Sequence, residues 1–210
     1  VLAVVAGSPA AKAGLRQDDQ VIAINQKTVA ASMTIKADYG RMAMIKDQLA
    51  TAMASGAITL RTNHGERRIA ALPGCQSDVE IVPGRKLNAH ADGEIVQLTN
   101  AVVAEARDDD ELSFVIAHEL AHNILEHPQK LTKGHRSTAR IRETEVEADQ
   151  MAVALMKRAG YDPHAAARFW ARFGAKTGLG IFSDGTHMRT RERVAFLEQV
   201  ATALDGFSPP

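Results

Sequence analysis

The pattern His-Glu-Leu-Ala-His at positions 118–122 contains the residues of this sequence best suited to chemistry. On an α-helix, His118 and His122 lie one turn apart on one face, so two neutral imidazoles could hold one Zn²⁺ between them. Glu119 lies next to that face and is well placed to take a proton from a metal-activated water. The spacing therefore predicts a helical zinc site with a general base. The alternative is a buried helix whose two histidines are satisfied within the core.

The flanking residues favour a buried helix at this position. Aspartates at 108–110 precede an apolar run, and acidic residues in a first turn suit the positive end of the helix dipole. Apolar residues then recur at helical spacing, namely Leu112, Val115, Ile116, Leu120 and Ile124. Pro128 predicts the end of the helix.

Composition limits the class of protein. The chain has 210 residues, which suits two domains, and its 45% hydrophobic and 24% charged content is typical of a soluble globular protein. A formal net charge of +0 gives no indication of a nucleic-acid partner, and no apolar stretch is long enough to span a bilayer. The single cysteine, Cys75, cannot form an internal disulfide. Because the sequence begins at Val1, we expect a processed or trimmed product that lacks its targeting segment.

Residues 1–73 predict a small α+β unit. The pattern indicates strands at 1–5 and 21–24, a short helical turn at 10–13, a helix at 40–54, and a hairpin formed by 58–61 and 67–72. The polar, turn-rich residues 74–78 predict a linker to a second domain at 79–210.

The stretches 7–15 and 19–25 of the first unit resemble a bacterial PDZ domain. In PDZ domains, the loop that grips a peptide carboxylate precedes the equivalent of this stretch. The resemblance therefore implies a partial PDZ-like domain, which is either a scaffold or a peptide-binding module.

The second unit is expected to be mainly helical with a small sheet. Strands are predicted at 79–82 and 94–98, with 88–91 extended between them, and a loop at 129–138. Helices are predicted at 100–107, around the zinc pattern, at 137–160 and at 190–204. His127, nine residues beyond His118, is expected to face away from the metal and to be structural.

A zinc peptidase site needs a third protein ligand. The downstream candidates are Glu143, Glu145, Glu147, Asp149 and His187. On the 137–160 helix, Glu145 and Asp149 share an inward stripe with small and apolar residues, whereas Glu143 and Glu147 lie mostly on the other side. We therefore assign Glu145 to the metal, with Asp149 and His187 as alternatives. Asp149 could instead accept the free N–H of a ligating histidine, or a buried carboxylate here could pair with an arginine.

These two motifs together resemble a known family. His118-Glu119-Leu120-Ala121-His122 and Glu145-Val146-Glu147-Ala148-Asp149 are similar to the His-Glu-x-x-His and Glu-x-x-Ala-Asp motifs of the HtpX and CAAX-prenyl-protease group, metallopeptidase family forty-eight. The stretch 88–93 resembles the edge-strand segment of the family. The stretch 186–193 resembles its Thr-His-Pro…Arg segment, with Met188 where proline is usual. Among the members, the soluble BepA-like type is the most similar.

The resemblance implies a mainly helical zincin-like (gluzincin) domain with one Zn²⁺ per chain, which acts as a zinc metalloendopeptidase, a hydrolase. A protein or peptide substrate would lie extended along Asn88, Ala89, His90 and Ala91. His187 matches the family's oxyanion-stabilising histidine, and Arg193 matches an arginine that could steady this segment or pair with a carboxylate near the zinc. The BepA-like members imply a bacterial cell-envelope location, in the periplasm or at the membrane periphery, and a role in protein quality control.

Two other classes of function compete with the peptidase. One is a zinc-containing, chaperone-like protein whose site is silent or self-inhibited, and the other is a PDZ-type adaptor. Glu119 argues against a silent site, because a structural zinc site has no use for a general base.

Overall fold

The computed structural model describes residues 1–29, 39–72, 74, 77–133, 137–177 and 189–206. The chain divides into two units, Val1–Gly74 and Cys75–Pro210. The predicted site residue His187 and the predicted linker residue Cys75 lie outside the described residues. No helix in the described ranges combines the length and the apolar character that a membrane crossing requires.

Among its described residues, the first unit has a four-stranded antiparallel sheet and two helices. Its elements are α1 (Pro9–Lys12), β1 (Val21–Ile24), β2 (Lys27–Thr28), α2 (Tyr39–Met53), β3 (Ala57–Thr62) and β4 (Gly65–Ala70). The strand order is β2-β1-β3-β4. Asn25 and Gln26 join β1 to β2 with φ values of 45° and 68°, the left-handed conformation that a two-residue hairpin turn requires. The core of this unit consists of Ile24, Val29, Ile58, Leu60 and Ile69.

The strand predicted at residues 1–5 is wrong. These residues pair with no described strand, and Leu2 and Val5 are 93% and 76% exposed. Val1 instead contacts the turn at Asp18 and Asp19: its nitrogen donates to the carbonyl oxygen of Asp19 at 2.8 Å, and its carbonyl oxygen accepts the backbone N–H of Asp18 at 2.8 Å. A short apolar run becomes a strand only where a neighbouring strand accepts it, which sequence periodicity cannot show.

The second unit has a three-stranded sheet followed by six helices among its described residues. The strands are β5 (Asp78–Val82), β6 (Ala89–Ala91) and β7 (Ile95–Thr99), in the order β5-β7-β6. Strand β5 is parallel to β7 and β6 is antiparallel to it. The helices are α3 (Asn100–Glu105), α4 (Asp109–Ile124), α5 (His127–Lys133), α6 (Thr138–Ala159), α7 (Ala165–Thr177) and α8 (Thr190–Ala203).

The expected mixture of helices and small sheets is confirmed, but the predicted loop at 129–138 is partly wrong. Residues 127–133 form α5, and Thr138 begins α6. Pro128 occupies the second position of α5, and a first turn tolerates proline because its N–H would have no intrahelical partner. Proline thus opens a new helix here, close to where α4 ends.

Small residues bring α4 and α6 together in the core of the second unit. Ala121 of α4 and Ala148 and Ala152 of α6 are fully buried, so no bulky side chain separates the two backbones. Helix α6 begins after Ser137, whose side chain accepts from the backbone N–H of Arg140, and ends at Gly160 with φ 86°. The two caps set the ends of α6, and its buried stripe of Ala148, Ala152 and Met156 sets the face that packs inward.

Candidate metal centre

Helix α4 positions His118 and His122. The carboxylate of Asp108 caps its first turn by accepting the backbone N–H of Glu111 at 2.8 Å, and acidic residues follow in that turn. Half of the residues of the helix are buried, including Phe114, Ala117 and Ala121. A rigid, buried helix therefore presents the two histidines one turn apart.

Glu145 of α6 completes a cluster of three groups that could hold a metal ion. The Nε2 atoms of His118 and His122 are 3.2 Å apart. The Glu145 carboxylate oxygens lie 3.4 Å from Nε2 of His118 and 3.5 Å from Nε2 of His122. Ligands at zinc-binding distances in a tetrahedron lie about 3.4 Å from one another. Two imidazole nitrogens and one carboxylate oxygen at this spacing therefore fit Zn²⁺ and leave a fourth position open.

Asp149 lies one turn beyond Glu145 and contacts the other side of His118. Its Oδ1 is 3.0 Å from Nδ1 of His118. Arg193 of α8 makes two hydrogen bonds to the same carboxylate, with Nε donating to Oδ2 at 2.7 Å and Nη2 donating to Oδ1 at 2.6 Å. The guanidinium carbon of Arg193 also lies 3.9 Å from the ring centre of Trp170. Asp149 thus both orients a candidate ligand and pairs with an arginine, two possibilities that the sequence left as alternatives.

The charges of the cluster favour a cation. Burial alone would lower the pKa of His118, but hydrogen bonds and charge from Asp149 and Glu145 outweigh it and raise the pKa to about 10. Burial, together with the neighbouring His118, lowers the pKa of His122 to about 3, which keeps that imidazole neutral as a metal ligand must be. The two carboxylates therefore attract positive charge to the point where the three groups meet.

Glu119 lies beside the cluster and is only 4% exposed. Burial, reinforced by the charge of Glu145, raises its carboxyl pKa to about 7, although the positive charges of His118 and Arg193 oppose this. Among the residues that the structure describes, none hydrogen-bonds its carboxylate. Glu119 also lines a cavity of about 10 Å³ with an apolar wall that includes Phe114, Phe169 and Trp170. A carboxylate of this kind is suited to exchanging protons near neutral pH.

The expectation that His127 faces away from the site is wrong. Helix α4 ends at Ile124, and Glu126 adopts a left-handed φ of 57°, which turns the chain before α5. His127 is consequently buried against the far side of His122, with its Nδ1 2.9 Å from Nδ1 of that histidine. Its Nε2 lies 3.0 Å from Oε2 of Glu147. Burial lowers the pKa of His127, and Glu147 only partly offsets this. The prediction failed because it continued one helix through a turn.

The predicted substrate segment forms an edge of the sheet. Within the described residues, β6 pairs with β7 alone, so its other side is an edge. Asn123, which the sequence analysis missed, joins the turn after this strand to the helix that carries the two histidines. Its Oδ1 accepts the backbone N–H of Gly93 at 2.7 Å, and its Nδ2 donates to Oγ of Ser77 at 3.1 Å. The sequence feature that could have identified Asn123 is its polar side chain directly after His122, on a helix predicted to be buried.

Helix α7 was also missed, and it supplies the wall of the site. Phe169, Trp170 and Phe173 recur at helical spacing, a pattern that could have revealed it. Phe169 and Phe173 stack at 5.1 Å between ring centres. Arg172 of the same helix pairs with Glu105 of α3 and Glu111 of α4. The aromatic residues and the ion pairs together fix α7 against the metal helix.

Two histidines on one helical face and a carboxylate from a second helix could hold a metal ion, with a buried glutamate beside them, which is the set of groups that a metal-dependent hydrolytic centre uses. Residues 68–141 and 136–201 match the model of Peptidase family M48, and residues 1–44 match that of the PDZ domain. The peptidase match covers more than half of the chain, and the chain therefore belongs to this peptidase family, while residues 1–44 are similar to a PDZ domain. None of the curated proteins matches the chain. The family supports a metallopeptidase function that acts on peptide or protein substrates.

Proposed function

We propose that the second unit is a zinc endopeptidase of the gluzincin type. Its single zinc would be held by His118, His122 and Glu145. The observation that carries the proposal is the meeting of these three groups from two helices at 3.2–3.5 Å, with Glu119 buried beside them. The matched peptidase family supports the same chemistry.

Glu119 is the general base of the proposed reaction. A zinc ion bound at the site would polarise the scissile carbonyl and make water more acidic. Glu119 accepts the proton of the attacking water and delivers it to the amine of the leaving peptide. Its raised pKa suits both transfers, since a base with a pKa near the working pH takes and gives protons with similar ease. Asp149 and Arg193 hold His118 in place during the reaction.

Ala89 and Ala91 would bind the substrate main chain. The backbone N–H of Thr99 donates to the carbonyl oxygen of Asn88 at 2.9 Å, and the backbone N–H of Asp92 donates to the carbonyl oxygen of Ile95 at 3.2 Å. Because bonded and non-bonded pairs alternate in an antiparallel ladder, the N–H and C=O groups of Ala89 and Ala91 point to the open edge. An extended peptide could pair with these groups as an added strand. Such pairing tolerates many side chains.

A comparison of zinc content and casein cleavage tests this function. Glu119→Gln keeps the size of the side chain but loses its basicity, so we expect full zinc content and a loss of cleavage of at least about 10²-fold. Glu143→Gln, on the exposed face of α6, is the matched control and should cleave normally. Survival of cleavage within about tenfold in Glu119→Gln would exclude this base. Zinc binding without cleavage by the unaltered protein would favour the chaperone-like alternative.

We also propose a location and a role, which the resemblance to BepA-like peptidases supports: the protein acts in protein quality control in the bacterial cell envelope, in the periplasm. Fractionation of cells that produce the full-length protein tests this location, and a cytoplasmic pool alone would contradict it.

The proposed domains are a partial PDZ-like domain at 1–73, a linker at 74–78 and the peptidase domain at 79–210. Limited proteolysis should cut first between about residues 72 and 79, and a first cut elsewhere would contradict these boundaries.

A further inference from the structure

The ring of His127 lies between a candidate zinc ligand and a carboxylate at the surface. Its Nδ1 is 2.9 Å from Nδ1 of His122, and its Nε2 is 3.0 Å from Oε2 of Glu147. His127 is 1% exposed, whereas the side chain of Glu147 is 56% exposed. Both nitrogens of a buried histidine are therefore engaged, and one of them faces the nitrogen of His122 that points away from the cluster.

Only one arrangement of hydrogens satisfies all of these contacts when His122 is a ligand. Nε2 of His122 faces His118 and Glu145, so its lone pair is needed for the metal and its hydrogen must lie on Nδ1. That N–H can donate only if Nδ1 of His127 accepts. The hydrogen of His127 must then lie on Nε2, where the carboxylate of Glu147 accepts it.

We propose that His127 is a positioning residue for the metal site, which holds His122 in the tautomer and ring orientation that zinc binding requires, with Glu147 fixing the tautomer of His127. The proposal rests on the proposed zinc site. Its physical basis is that a ligating imidazole whose free N–H is held by a fixed acceptor binds its metal more tightly. Asp149 does this for His118 through a carboxylate, and His127 does it for His122 through a neutral imidazole.

The backbone before His127 supports the assignment. Glu126 has a φ of 57°, a left-handed conformation that a residue with a side chain adopts at a cost. This conformation lets the chain leave α4 and bring His127 back onto His122. The ring centres of the two histidines are 4.9 Å apart with an interplanar angle of 73°, and the two Nδ1 atoms face each other at 2.9 Å.

The rate at which zinc is lost to a chelator, measured on the full chain, tests the role of both residues. His127→Phe keeps a ring but removes the acceptor, so zinc should leave about 10–100-fold faster. Glu147→Leu should accelerate the loss by at least about threefold. Glu147→Gln keeps an acceptor oxygen and should restore a rate close to that of the unaltered protein. Glu143→Leu, one turn earlier on the exposed face of α6, is the matched control and should have no effect.

A second measurement uses the unaltered, zinc-loaded protein and does not depend on whether His127→Phe folds. Long-range ¹H–¹⁵N correlation spectra should show His127 with its hydrogen on Nε2 and a bare Nδ1. A hydrogen on Nδ1 of His127 would overturn the proposal, as would zinc loss from both Glu147→Leu and a folded His127→Phe at the unaltered rate. In those cases the zinc site itself would stand. A protein that binds no zinc would instead remove the proposed function and this proposal together.

Discussion

Replacement of Arg193 by leucine tests the pair that supports the metal centre. Arg193 is 1% exposed and Asp149 is fully buried, and two hydrogen bonds of 2.7 and 2.6 Å join them. Arg193→Leu keeps an apolar side chain against Trp170 but removes the guanidinium. The carboxylate of Asp149 then stays in the core with the Nδ1–H of His118 as its remaining partner in the described part of the chain.

The size of the effect follows from this geometry. Removal of one partner of a buried ion pair typically costs about 3–5 kcal/mol, because the other charge is left without compensation. His118, whose pKa the two carboxylates raise to about 10, still provides one charged hydrogen bond. We therefore expect the lower end of the range, about 3 kcal/mol. For a unit of about 140 residues the unfolding entropy is about 0.3 kcal/mol per kelvin, so Tm should fall by roughly 10 °C.

The assay is thermal unfolding in a chelator, which prevents bound zinc from adding to the stability. Arg191→Leu, at an exposed position on the same helix, is the matched control and should leave Tm within about 2 °C. The double variant Asp149→Leu/Arg193→Leu removes both charges and should recover most of the stability. Its zinc affinity should nevertheless stay about 10–100-fold weaker, because His118 has lost the acceptor of its N–H.

The reasoning would be refuted by an Arg193→Leu variant whose Tm falls by less than about 3 °C, since that corresponds to under about 1 kcal/mol. It would equally be refuted if the double variant were less stable than Arg193→Leu. In that case the two side chains would stabilise the unit through their own packing rather than as a charge pair.

Three further outcomes are expected. Ala91→Pro removes an N–H that faces the open edge, so it should raise KM for casein without zinc loss, whereas Ala91→Ser, which keeps the N–H, should not. The carboxylates of Asp205 and Glu198 accept hydrogen bonds from the His164 ring and raise its pKa. The stability that His164 adds over His164→Gln should therefore be full below about pH 6.5, the ordinary value, and should disappear as pH rises through the raised pKa; a difference independent of pH would contradict this. If His187 stabilises the oxyanion, as the family resemblance implies, His187→Phe should keep zinc but lose at least about tenfold in kcat with little change in KM, and an unchanged kcat would contradict that role.

The sequence predicted the helices of the site well because their signals are local. Helix α6 has a serine cap, a glycine stop and an apolar stripe, and its observed bounds differ from the prediction by one residue at each end. Strand β1 was predicted at its observed bounds, next to the Asn25-Gln26 turn. The failure at residues 1–5 has the opposite cause, because a strand depends on a partner that is distant in sequence.

The residues of the candidate site show the same difference between local signals and contacts that are distant in sequence. His118 and His122 follow from spacing within one helix, and Glu145 follows from the inward face of another. His127 could not be placed, because its position depends on the left-handed backbone at Glu126. Glutamate rarely adopts this conformation, so the sequence does not predict a turn there. The ring of Trp170 against Arg193 joins two helices that the sequence does not relate to each other.

Packing also explains why Glu145 rather than Asp149 meets both histidines. The two residues share the inward face of α6, and the sequence alone left both as candidate ligands. In the structure, Arg193 engages both oxygens of Asp149, and Nδ1 of His118 contacts one of them. Asp149 is thereby held on the Nδ1 side of the ring, while Glu145 lies on the Nε2 side, between the two histidines. Arg193 therefore neutralises the carboxylate that orients a ligand and leaves the charge of Glu145 for the cation. For this reason, exchanging the roles of the two carboxylates would require Arg193 to move as well.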